Sequence, residues 1–159
     1  MCERRDTGRK GAWRAAVVVL VAVASLAPAA GARLVLERHS QAAATLHALA
    51  GHWRIEDHAA LAELVASEGV RIAIGPVPDR ENLYSPSQSF YFFKNLFQDL
   101  ESEAFVVETQ QDGDQGRAHA VARWRFRRSG ADRTEEMRLV ISLVRGPDGW
   151  AVGEIRALR

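Results

Sequence analysis

The stretch Tyr84–Leu100 (YSPSQSFYFFKNLFQDL) makes the tightest demand on any fold this chain can adopt. Ser85 suits an N-cap and Pro86 the first helical position, where a missing N–H costs nothing. Gln88, three residues after Ser85, completes a capping box. Phe90, Phe93, Phe97 and Leu100 then recur at spacings of 3, 4 and 3, one stripe of a helix. Tyr91, Phe92 and Leu96 widen that stripe past half the circumference. Four Phe, two Tyr and two Leu within 17 residues need a broad apolar surface to cover them.

The C-terminal third supplies such a surface, because beyond Leu100 the apolar period changes to two. Phe105–Thr109 reads as a strand, and Gln110–Gly116 as a hairpin turn centred on Asp112-Gly113. Ala118–Arg127 alternates throughout, Ser129–Thr134 turns the chain, and Glu136–Arg145 alternates again. Pro147-Asp148-Gly149 is a tight turn before a last strand, Trp150–Leu158. Trp150 and Val152 share a parity that Ile155 breaks, so a bulge is expected at Gly153. Ala120, Trp124 and Phe126, with Met137, Leu139, Ile141 and Leu143, set the inward parity.

Before the aromatic stretch, Val35, Ala42, Leu46, Leu49 and Trp53 recur at helical spacing, which predicts a helix over Leu34–Ala50 stopped by Gly51. Asp57 is placed to cap a second helix, His58–Ser67, with Gly69 just past its end. Val70–Ile74 alternates as a strand, and Gly75–Leu83, with two prolines, reads as a loop. The expected class is α+β: three N-terminal helices packed on a curved, mostly antiparallel sheet of about five strands.

The first 32 residues stand apart. Arg4, Arg5, Arg9, Lys10 and Arg14 precede a 12-residue apolar run, Ala15–Leu26, and Ala30-Gly31-Ala32 has the small-x-small form of a cleavage site. At about 1.5 Å per residue the run is about 18 Å long, short of a roughly 30 Å hydrocarbon core. The expectation is a signal peptide over 1–32 and a domain over 33–159, with an uncleaved anchor as the alternative and the only route to a membrane association. The exported product would be periplasmic or secreted. Residues 33–159 carry 16 basic and 18 acidic side chains, so the overall formal charge of +1 belongs to the leader, and no nucleic acid partner is implied. Cys2, the single cysteine, precedes the apolar run and leaves with it.

The element order, with Val70-Arg71-Ile72-Ala73-Ile74, Tyr84-Ser85-x-Ser87-Gln88, Phe92-Phe93-Lys94 with Phe97, and the closing Gly149-Trp150-x-Val152 with Ile155-Arg156, resembles the nuclear transport factor 2-like superfamily. This is the cone-shaped fold of ketosteroid isomerase and polyketide cyclases, and the sequence looks like one of its uncharacterised exported bacterial families. The resemblance implies the cone and a cavity between helices and sheet. It implies no reaction, because one fold hosts many functions.

An isomerase-type site in such a cavity needs a carboxylate base and donors for an oxyanion. Tyr84 and Tyr91 are the available phenols. No Asp or Glu falls on the inward parity of the two central strands, and Glu154 points inward only if the last strand runs without a bulge. Trp124, on the inner face, is placed to pack or to stack a ligand. The cavity candidates are therefore Tyr84, Tyr91, Trp124 and Glu154. The five histidines, His39, His47, His52, His58 and His119, form no metal-binding spacing, and neither a GxSxG motif nor a phosphate loop is present, so no metal and no cofactor is expected. Arg123, Arg125 and Arg127 alternate with Trp124 and Phe126 and lie on the outer face. They read as a solvated face with cross-strand Arg–Glu pairs, with a homodimer interface there as a further reading. The function expected is an exported, non-catalytic binding module for a small apolar ligand or a protein partner. A cofactor-independent isomerase, dehydratase or cyclase is the alternative.

Overall fold

The computed structural model describes residues 30–74, 82–112 and 116–158. The segment expected to be a leader lies almost wholly outside the described residues, and Ala30-Gly31-Ala32 open the first helix. The loop Gly75–Glu81 and the turn residues Gly113–Gln115 also lie outside them. No described helix is long and apolar enough to cross a membrane.

Helix α1 spans Ala30–Arg54 and α2 spans His58–Glu63. Strands β1 (Val70–Ala73) and β2 (Asn82–Tyr84) follow, then α3 (Pro86–Asp99). Four strands close the chain: β3 (Leu100–Asp112), β4 (Arg117–Arg128), β5 (Thr134–Gly146) and β6 (Gly149–Ala157). All six strands form one sheet in the order β2-β1-β6-β5-β4-β3. The expected α+β class holds, with two corrections. The sheet has six strands rather than five, and only two helices precede it in sequence, since α3 follows β2.

The extra strand comes from the segment expected to be a loop. Asn82–Tyr84 pairs antiparallel with β1, with Tyr84 opposite Val70. β1 in turn pairs parallel with β6, which places the helical half of the chain against the end of the meander. The first helix also runs past Gly51, where the sequence suggested a stop. A glycine costs a helix interior only about 1 kcal/mol, and packing of the flanking turns offsets this. Leu46, Leu49 and Trp53 are all buried on that continuous face. The helix ends three residues beyond Gly51. Glu56 then reverses the chain at φ 58, and its carboxylate accepts from the Ser102 N–H at 2.6 Å, fastening this corner to β3.

Helix α3 starts as its sequence requires. The Ser85 hydroxyl accepts from the Gln88 N–H at 3.3 Å, and the Gln88 side chain accepts from the Ser85 N–H at 2.9 Å. Losing such a cap costs a helix about 1 kcal/mol. The broad aromatic stripe divides its labour. Phe93 and Phe97 enter the core, Phe90 leans on the His58 ring, and Tyr91 stays exposed. The expectation that a broad apolar surface covers the whole stripe is thus too generous.

The centre of the core is Trp53 of α1. It is fully buried, with ring centroids of Phe93, Phe97, Phe105 and Trp124 within 4.8–5.8 Å of its own. The sheet bends around this cluster. Two register shifts in β3, leaving Glu103 and Glu108 as extra residues, and one in β6 at Gly153 mark its bulges. Bulges bend a strand and increase its local twist.

Candidate functional site

Between the helices and the sheet, where the resemblance implies a cavity, the described residues bring a cluster of aromatic side chains together. Trp124 lies there, fully buried, with its indole N–H donating to the Ser102 hydroxyl at 3.1 Å and its ring 4.5 Å from Phe126. It lines neither of the two grooves described below. Among the described residues the only buried polar side chains are Ser89 and Ser142, so no carboxylate stands in this interior. Asp79 and Glu81 lie outside the described residues.

Glu154 is corrected as a cavity residue. Ser142 pairs with Glu154 while the next residue, Leu143, pairs with Val152, which leaves Gly153 as the extra residue. The expected bulge re-phases the strand. Val152 and Ile155 both face the core, and Glu154 stands on the outer face. A Cβ at Gly153 would lie 3.1 Å from Val144 Cγ1, so any larger residue there needs the Val144 side chain to give by a few tenths of an ångström.

Tyr84 and Tyr91 do come together. Both line a groove of about 650 Å³ along α3, with Leu83 and Asn82 of β2 and Gln88, Phe92, Asn95, Leu96 and Asp99 of the helix. Tyr84 is half-buried, its ring centroid 5.1 Å from that of Phe92. The capping box fixes the groove's upper end, because Gln88 is held by its bond to Ser85.

A second cleft, of about 770 Å³, opens on the outer face between the α2–β1 connection and strands β4, β5 and β6. Across its floor His119, Ser142 and Glu154 occupy one row of the sheet, with Arg71 next in line on β1. Sequence reasoning placed His119 on the outer face but did not find this row.

Farther along the same face the arginine stripe is largely paired. Glu108 bridges Arg123 at 3.2 Å and Arg138 at 3.0 Å, and Arg127 pairs with Glu101. The hydrogen bond and charge of Glu101 raise the Arg127 pKa above its already high ordinary value, so this pair keeps its cation across any usable pH. This is the cross-strand pattern of a solvated sheet face, and exposed pairs of this kind contribute little to stability. No group of three or more His, Cys, Asp or Glu side chains among the described residues is arranged to hold a metal.

No protein-family model matches this sequence, and no curated protein matches it significantly. Solved structures do match. An ntf2-like protein with a cystatin-like fold from Novosphingobium aromaticivorans superposes with a TM-score of 0.58 at 17% identity, over 80% of this chain and 85% of that one. A hypothetical protein of ketosteroid isomerase-like fold from Catenulispora acidiphila, solved with trimethylamine, gives 0.57 at 13% identity over 72% and 84%. A DUF4783 family protein from Bacteroides uniformis gives 0.56 at 11% identity over 70% and 93%. At such identities the likeness is one of architecture, and it agrees with the element order, the coiled sheet and the helix laid across it: the chain has the nuclear transport factor 2-like fold.

Proposed function

We propose that the chain is an exported, non-catalytic binding module that takes a small apolar ligand in the groove between α3 and the edge strand β2. One observation carries this reading. Leu83 and Tyr91 stand 63% and 64% exposed on the walls of that groove. Large apolar groups left in water on a concave surface mark a binding site more often than a random patch does. Tyr84, Phe92 and Leu96 add apolar surface, while Asn95 and Asp99 offer the few polar groups that orient a ligand. The volume falls inside the range of about 300–1,000 Å³ typical of small-molecule pockets.

The test is titration of the folded domain with an apolar fluorescent probe such as anilinonaphthalene sulfonate. Tyr91→Ala and Leu83→Ser should each weaken binding by about tenfold, the loss of roughly one buried apolar side chain. Both residues are exposed, so stability should change by no more than about 0.5 kcal/mol. Unchanged affinity in the double variant would overturn the groove as the site. Export is tested separately. The N-terminus of the exported protein should begin near Arg33, and intact Met1 in the membrane fraction would refute cleavage.

A further inference from the structure

The outer-face cleft holds a hydrogen-bonded chain that the groove along α3 does not use. The Ser142 hydroxyl lies 3.2 Å from Glu154 Oε2 and 3.1 Å from His119 Nδ1. Ser142 is 92% buried by its neighbours' side chains, being only 8% exposed, although it sits on the outer parity of a central strand. Glu154 is itself held, its other oxygen 3.2 Å from Arg156 Nε.

The donor count along this chain has one solution. A carboxylate only accepts, and a hydroxyl has one proton to give. The Ser142 proton therefore points at Glu154, since otherwise two oxygen lone pairs would face each other at 3.2 Å. Ser142 then accepts from His119, so the ring carries its proton on Nδ1. In the neutral ring this leaves His119 Nε2 as an acceptor, with the Nδ1 bond to Ser142 orienting it. The chain exists because of the bulge: without Gly153 as an extra residue, Glu154 would not stand on the outer face beside Ser142.

The surroundings narrow what such an acceptor would bind. Val144 and Ala151, on the outer parity, give the cleft apolar surface. Its charged groups are of both signs, Arg71, Arg117 and Arg145 with Glu63, Glu68, Asp148 and Glu154, so the cleft selects neither an anion nor a cation. We propose that this cleft is a second binding site, for a small uncharged phenol or alcohol whose hydroxyl donates to His119 Nε2. Ser142 and Glu154 are positioning residues that hold the acceptor in place.

The experiment uses the folded domain with ¹⁵N-labelled histidine and phenol as the probe, with His119→Phe assigning the His119 signals. The free protein should show His119 as the Nδ1–H tautomer, and phenol should shift its Nε2 resonance. Ser142→Ala and Glu154→Gln should each raise the phenol dissociation constant about three- to tenfold, the effect of one ordinary hydrogen bond. In both variants the ring should also populate the Nε2–H tautomer, a signature that a merely structural loss would not produce. His119→Phe should abolish the perturbation of cleft residues, and Tyr91→Ala should leave it intact, which separates this site from the α3 groove. An Nε2–H tautomer in the unsubstituted protein would overturn the proposal, as would cleft perturbations that survive His119→Phe.

Discussion

Trp53→Ala is expected to cost about 3–5 kcal/mol, the range for removing a buried indole that its neighbours cannot fully collapse onto. The mechanism is local and nameable. Trp53 is the one residue whose ring meets Phe93 and Phe97 of α3 together with Phe105 and Trp124 of the sheet. Its removal leaves a cavity where three elements converge, and each of the four rings loses an edge or tilted contact. Domains of this size have a total stability of roughly 5–15 kcal/mol, so the variant would sit near the threshold of folding. Denaturant unfolding followed by circular dichroism is the measurement, with the midpoint falling while the slope stays constant. Trp53→Phe is the informative companion. It keeps an aromatic ring in the cluster and removes an indole N–H that has no hydrogen-bond partner among the described residues. Removing an unsatisfied buried donor recovers part of what the lost volume costs, so Phe should retain well over half the stability that Ala forfeits. A cost below about 1.5 kcal/mol for alanine would mean that these elements do not converge on this residue.

The architecture was legible because its periodic signals are long. Ten alternating residues in Ala118–Arg127 and the capping box at Ser85–Gln88 specify a strand and a helix start almost without competition. The errors fall where the signals are short or where tertiary packing outweighs a local preference. β2 has three residues and follows a segment with two prolines, so its pairing with β1 is set by tertiary contact rather than by pattern. Gly51 is a helix stop only by propensity, and burial of Trp53 on the next turn is worth more than that propensity.

The candidate sites were less legible, because a site depends on register between strands. Tyr84 and Tyr91 were both named from sequence, yet their meeting depends on β2, which was not foreseen. The outer row came close to being visible. Counting outward from the two-residue turn between Gly146 and Gly149, and adding one residue for the bulge at Gly153, puts Ser142 opposite Glu154. The step to His119 depends on the β4–β5 connection, whose length does not fix a register by itself. The resemblance implied a cavity, and parity put Trp124 on the inner face, but its contact with Trp53 of the first helix is a tertiary fact that no local pattern announces.

Gly69→Ala is expected to cost about 2–6 kcal/mol and to disable the α3 groove in whatever fraction still folds. Two independent penalties meet at this residue. Its φ of +103 lies in a region that L side chains rarely adopt, a strain of about 1–3 kcal/mol. A Cβ there would also lie 2.6 Å from the Tyr84 carbonyl oxygen and 3.3 Å from Leu83 Cδ1. The first of those neighbours is backbone and cannot rotate away, so β2 itself must shift, at a further cost of about 1–3 kcal/mol for an overpacked contact. Gly130→Ala separates the two terms. Gly130 also has a positive φ, of 78°, but a Cβ there would meet nothing within 4 Å, so it should show the backbone strain alone. The functional consequence follows from which residues must move. Leu83 and Tyr84 are the β2 wall of the groove, and β2 has only three residues pairing it to the sheet. Probe binding in Gly69→Ala, measured at low temperature where the variant remains folded, should fall by more than in Gly130→Ala. If the two variants proved equally stable, the close approach of Gly69 to Tyr84 would not be what seats β2. The groove would then owe its shape to α3 alone.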